Sequence, residues 1–127
     1  MRAVKRSPRT VSLPPFAQRE RYRRRYERLK AEIRNLGFIC QGSITERYLT
    51  CGKPACACHK DPARRHGPYY HWTRKVRGRT QGRMLPRDVV PLYREGIRSY
   101  RRLERILDKM KDLSLSAFEA ARISSKR

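Results

Sequence analysis

CGKPACACHKDPARRH, residues 51–66, gathers three cysteines and two histidines with almost no large apolar side chain among them. The spacing Cys51-x4-Cys56-x-Cys58-x7-His66 offers three thiolates and an imidazole. Such a set closes a tetrahedron around one metal ion and leaves no position open for a substrate. Gly52-Lys53-Pro54 can turn the chain between the first two sulfurs, Gly through unusual dihedrals and Pro through a fixed one. Asp61-Pro62 and His66-Gly67-Pro68 bound the loop, so His66 is expected where the chain leaves it to begin a strand. The expected cofactor is a structural zinc held by Cys51, Cys56, Cys58 and His66. Two other residues compete for places in that shell. His59 could replace His66, and Cys40 could enter as an outlying ligand. His66 fits better, because the adjacent Cys58 and His59 can rarely both reach one tetrahedral ion while a seven-residue loop closes readily. Cys40 reads as a small buried hydrophobe.

Two other chemistries use the same residues. Four cysteines could form two disulfides, but the basic N-terminus is followed by no apolar run of the secretory kind, and without an oxidising compartment metal is the better fit. Reactive thiols are the second alternative. Lys53, Lys60, Arg64 and Arg65 would lower thiol pKa values, yet they favour a metal-bound thiolate cluster equally.

Composition bounds the rest. The chain has 127 residues, room for one domain, with 33 basic and 11 acidic side chains, a formal charge of +22 and 38% hydrophobic residues. Its pI is about 11.1. So much self-repulsion needs a polyanion to neutralise it and a staple to hold the small core together. Arg supplies 25 of the cations. Its planar fork suits phosphate oxygens, guanine edges and aromatic stacking. The excess is spread along the chain, +9 over 1–39, +8 over 40–86 and +5 over 87–127, as a broad phosphate-binding surface requires and a single solubility tail does not. A solvated basic surface, a membrane-surface binder and a ribosome-like component are the plainer alternatives. No run is long or apolar enough to cross a bilayer.

Local patterns predict an α+β fold: an N-terminal helix, a three-stranded antiparallel sheet with the zinc loop inserted, and a long C-terminal helix. Residues 1–15 read as a disordered basic arm; a mitochondrial presequence shares the composition, but Pro14 and Pro15 oppose the helix it needs. From Phe16 to Leu36, Tyr22, Tyr26, Leu29, Ile33 and Leu36 form one apolar seam, with Gly37 as a helix stop. Residues 38–50 read as a strand entering the loop. Pro68–Val76 and Arg79–Leu85 read as a hairpin turning at Arg77-Gly78. Asp88 is the expected N-cap of the second helix, whose stripe is Val90, Tyr93, Ile97, Tyr100, Leu103, Leu107 and Met110. Gly96 suggests a close crossing or a bend. The zinc-stabilised domain is drawn over 16–113, and Ser116 with Glu119 suggests a capping box for a separate short helix in 114–127 before a frayed end.

The expected nucleic-acid contacts are Arg21, Arg24, Arg25 and Arg28 on the first helix, Lys53, Arg64 and Arg65 in the loop, Arg74, Lys75, Arg77, Arg79 and Arg83 on the sheet, and Arg98, Arg101, Arg102 and Arg105 on the second helix. Trp72 could offer a stacking plane, but packing on a helix is its expected role. The tyrosines of the first seam are read as core.

The core GSITERYLTCGKPACACHKDPARRHGPYYHWTRKVRGRTQGRML, followed by a basic helix, resembles a family of small, functionally uncharacterised bacterial proteins. The shared marks are a Gly-Ser-(Ile/Leu) strand, a Cys-Gly-Lys knuckle, a Cys-x-Cys pair and a His-Gly-Pro-Tyr-Tyr strand start. The match covers roughly 36–112 and implies Cys51, Cys56, Cys58 and His66 as the shared polar positions; Cys40 and His59 fall outside the pattern. It implies mobile genetic elements and transposase-like neighbours, but no reaction and no substrate.

The expected function is therefore non-catalytic nucleic-acid binding, with DNA slightly favoured over RNA, as an accessory of a recombinase, transposase or ribonucleoprotein in the bacterial cytoplasm. The rival is a protein adaptor, or a homodimer paired through the helix seams. A nuclease is disfavoured, since Glu46 and Asp61 are isolated acids and His66 and His71 have no evident partner base.

Overall fold

Arg77 and Gly78 both take positive φ, 53° and 80°, the two-residue primed turn whose twist matches that of the strands it joins. It closes β2, His66–Val76, on β3, Arg79–Leu85. The pairs run without a slip from Val76↔Arg79 to Tyr70↔Leu85. Arg is not the residue such a turn favours; the left-handed conformation costs a non-glycine residue about 1 kcal/mol or more. The first strand, β1, Ser43–Leu49, pairs antiparallel with the other side of β2, giving the order β1-β2-β3.

The computed structural model describes residues 15–125. The expected basic arm lies outside them apart from Pro15, which starts α1, Pro15–Arg34; the long second helix, α2, is Val90–Ser125. The described chain falls into two compact units. One is Leu36–Leu103, and the other joins residues 15–35 to residues 104–125.

Within Leu36–Leu103, side chains on alternate residues of β2 face the start of α2. The Trp72 ring meets Tyr93 edge to face at 5.2 Å, and the Arg94 guanidinium lies 5.8 Å from the Tyr70 ring centroid. Leu85, Val90 and Ile97 are buried. The segment before β1 is stitched to the same helix: the Cys40 N–H donates to the Gly96 carbonyl at 2.9 Å, and the Gln41 side-chain amide donates to the Tyr100 hydroxyl at 3.0 Å. The Trp72 indole N–H donates to the Gln41 carbonyl at 2.9 Å. Trp72 therefore packs on a helix, as expected.

The expected close crossing at Gly96 is present. A Cβ on this residue would stand 2.8 Å from the Cys40 Cβ. Gly96→Ala is expected to lower stability by up to about 2 kcal/mol, because overpacking costs about 1–3 and alanine returns roughly 1 kcal/mol to a helix. Urea denaturation measures it, and adding Cys40→Gly should relieve the crowding.

In the helical unit, Leu113 of α2 is buried, and Leu29 of α1 lines a groove with it. Tyr22 lines another with Ala117, Ala120 and Ala121, so α1 and this half of α2 run antiparallel. The α1 seam is half-buried, as a packed seam should be.

Five local expectations are corrected. Helix α1 ends at Arg34, where the Asn35 N–H bonds back to Glu32, and Gly37 is not in the left-handed region that a glycine cap would use. The strand expected over 38–50 is confined to Ser43–Leu49; Phe38 is 91% exposed, and the tertiary bonds of Cys40 and Gln41 hold this stretch out of the sheet. Asp88 does not cap α2 but sits inside a 3₁₀ turn, Arg87–Val89, that leads into it. The helix stripe departs at one position, where Ile106, 3% exposed, takes the place expected of Leu107, which is 42% exposed. No separate short helix begins at Ser116: α2 runs unbroken to Ser125, and Glu119 pairs with Arg122 at 2.7 Å instead of capping. No Gly or Pro follows Gly96 to break it.

Candidate metal centre

The loop is folded by short-range chemistry. Pro54 follows Lys53, whose carbonyl accepts the Cys56 N–H at 3.1 Å, turning the chain back after Cys51. A 3₁₀ turn, Ala57–His59, then carries Cys58 inward, where it is 2% exposed. A second turn, Pro62–Arg64, has Pro at its start and Asp61 before it, whose carboxylate accepts the Ala63 N–H at 3.0 Å. The chain then re-enters the sheet at His66, the first residue of β2, as the sequence predicted.

An irregularity in the ladder places the histidine. Arg47 pairs with Tyr69, but Leu49 pairs with His66, so β2 spends one more residue than β1 across the step. Gly67 sits in that extra length at φ 146°, and a Cβ there would meet the Arg47 carbonyl at 2.6 Å. Such bulges re-aim the side chain beside them. Sequence reading missed this device, although the Gly67-Pro68 pair was its signal.

Cys51, Cys56, Cys58 and His66 converge, their ligand atoms all within 4.8 Å of one another. The Cys51 and Cys58 sulfurs are 3.7 Å apart, and the Cys56 sulfur is 3.5 Å from His66 Nε2. A tetrahedron built with zinc-like bonds of about 2.3 Å to sulfur and about 2.05 Å to nitrogen has S–S edges of roughly 3.75 Å and S–N edges of roughly 3.55 Å. Both separations fit a single four-coordinate ion. The Cys51–Cys58 separation does not fit a disulfide, whose S–S bond is about 2.05 Å, and all four cysteines are free thiols. The arrangement is compatible with a structural metal site in which every corner is a protein atom.

The Cys51 N–H donates to the Cys58 sulfur at 3.3 Å, orienting one ligand through the backbone of another. The Cys56 thiol is lowered to about 6, first by the Cys58 backbone N–H and then by the His66 ring. For Cys58 the Cys51 N–H lowers the pKa, but burial and the neighbouring thiols raise it on balance. The cluster thus has one thiol ready to ionise and another that a cation would have to ionise. His59 and Cys40 lie outside the cluster. Burial raises the Cys40 thiol, opposed by the Arg74 charge.

Every one of the expected cationic contacts, from Arg21 to Arg105, is exposed. They are divided between the two compact units: Arg21, Arg24, Arg25, Arg28 and Arg105 belong to the helical one, and the remainder to Leu36–Leu103. Arg74 lies 5.3 Å from the Trp72 ring centroid. No helix among the described residues is long and apolar enough to cross a membrane.

The model of DUF6788, a domain of unknown function, matches residues 18–95. The chain belongs to this family. The DUF6788 match takes in most of α1, the whole sheet, all four converging ligands and the first residues of α2, and the motifs of the expected resemblance fall inside it. No curated protein and no solved structure matches the chain.

Proposed function

We propose that the metal is zinc and that this DUF6788 protein binds nucleic acid without catalysing a reaction on it. A closed set of three thiolates and one imidazole supports zinc in a structural role. The observation that carries the nucleic-acid reading is an imbalance of charge on the metal-bearing unit. Leu36–Leu103 holds fifteen basic side chains against Glu46, Asp61, Asp88 and Glu95. A small body of this charge attracts phosphate strongly. The resemblance to proteins of mobile elements supports an accessory role beside a recombinase, transposase or ribonucleoprotein in the bacterial cytoplasm, with DNA favoured over RNA. The test is to titrate the zinc-loaded protein with short labelled DNA and RNA across a salt series. Tight, salt-sensitive binding with no cleavage in magnesium is the expected result. Absence of binding at low salt overturns the reading, and cleavage abolished by Glu46→Ala or His71→Ala overturns its non-catalytic part.

One observation favours a second reading, self-association of the helical unit. Leu107, Leu115 and Phe118 are 42%, 63% and 69% exposed, and they line one groove with Tyr26 and Met110. Contiguous exposed apolar surface of this kind is often an interaction site. On this reading sedimentation equilibrium at micromolar concentration gives twice the chain mass, and Leu115→Glu with Phe118→Glu restores the monomer. A wild-type monomer rules it out.

A further inference from the structure

Strand β1 ends its pairing at Ser43↔Thr73, but the β2–β3 ladder continues through Arg74↔Gln81, Lys75↔Thr80 and Val76↔Arg79 to the turn. Beyond the end of β1 the sheet is therefore a two-stranded ribbon. Gly42, just before β1, still lies against Thr73 and Arg74, so the two pairs beyond them, at about 3.4 Å each, give a free reach of roughly 7 Å before the turn itself.

This ribbon is cationic on every side. Arg74 and Arg79 share one face, Lys75 occupies the other, and Arg77 stands at the tip. No acidic residue occurs between Asp61 and Asp88. Lys75, Arg77 and Arg79 are exposed, and among the described residues none of them is ion-paired to a carboxylate. Arg77 also holds its positive φ where Asn, Asp or Gly would turn more easily. A cation kept at an unfavourable backbone position, with no carboxylate partner among the described residues, points to a partner outside the molecule.

We propose that the β2–β3 ribbon enters the major groove of duplex DNA, with Arg77 leading. The inference rests on the nucleic-acid-binding reading above. The B-form major groove is about 12 Å wide and about 8.5 Å deep, and it admits a two-stranded ribbon. The B-form minor groove, about 6 Å wide, would have to be widened and the duplex bent before it took the ribbon, and the major groove of duplex RNA is too narrow.

The experiment compares wild type with Arg77→Asn and with Lys75→Thr/Arg79→Thr, all as the zinc-loaded full chain. Probes are a DNA duplex, its single strand and an RNA duplex of the same sequence. Asn suits the turn better than Arg, so Arg77→Asn should melt at or above the wild-type temperature while binding the DNA duplex about five- to tenfold more weakly, with a salt slope smaller by about one. The double variant should weaken binding further and lower the slope by about two. Bound wild type should shield guanine N7, a major-groove atom, from dimethyl sulfate. If nucleic acid is bound but Arg77→Asn leaves affinity and slope unchanged, the ribbon is not the reader. Equal affinity for RNA duplex or single strand, or unshielded guanine N7, overturns the proposal in the same way. Binding to none of the probes overturns it together with the wider reading.

Discussion

Cys58→Ser is expected to abolish metal retention and to unfold the Leu36–Leu103 unit at room temperature. Cys58 is the most deeply buried of the four converging ligands, and its sulfur is held both by the Cys51 N–H and by proximity to the Cys51 sulfur. The unit has little else to hold it, since its other buried apolar side chains are Leu85, Val90 and Ile97. Structural zinc in small domains contributes about 10–16 kcal/mol of apparent binding energy, as large as the whole stability of an ordinary domain, about 5–15 kcal/mol. The site also fixes the exit of β1 next to the entry of β2, so losing the ion frees a long loop at the root of the sheet. Metal analysis should give one zinc per chain in the wild type and none in the variant. A strong chelator should shift the Trp72 emission to the red and remove the strand signal from circular dichroism, and added zinc should restore both. Cys40→Ser, outside the cluster, should keep the metal and stay within about 1 kcal/mol of wild type. Wild-type protein that contains no zinc and stays folded in chelator would remove the basis of the metal reading.

The second large effect is ionic. If ten exposed cations reach phosphates, the logarithm of the binding constant falls against the logarithm of salt with a slope of about −9, a loss of roughly 10⁵-fold between about 50 and 200 mM. An adaptor that recognises a protein through Leu107, Leu115 and Phe118 would show a far shallower slope, because apolar burial releases no counterions. Arginine-to-glutamine changes at Arg64 with Arg65 should lower the slope by about two if both reach the backbone. A slope near zero for every nucleic acid tried would leave the charge of Leu36–Leu103 unexplained by phosphate.

What could be read in advance follows the range of the interactions. The converging Cys51, Cys56, Cys58 and His66 cluster was legible because these residues fall within sixteen consecutive positions and metal-ligand chemistry restricts residue type. The β2–β3 hairpin was legible because Arg77-Gly78 marks its turn and no distant residue decides it. The Phe38–Gln41 stretch was not, because an apolar run looks like a strand until Gly96 and Tyr100, far along the chain, claim its hydrogen-bonding groups. The Ser116–Glu119 pair was misread for a related reason. A capping box starts a helix only where the chain has already left the one before, and here Arg122 holds Glu119 within a continuous helix. The buried Ile106 was passed over in favour of Leu107, since both satisfy a helical period and only packing selects between them.

The order β1-β2-β3 leaves both outer strands with one row of backbone amides and carbonyls unpaired within the sheet. Arg47 on one margin and Arg79 and Arg83 on the other keep sibling molecules from zipping on there by mutual repulsion. A polyanion in near-stoichiometric amount cancels that guard. Clumping should therefore peak at charge equivalence and fade when either component is in excess.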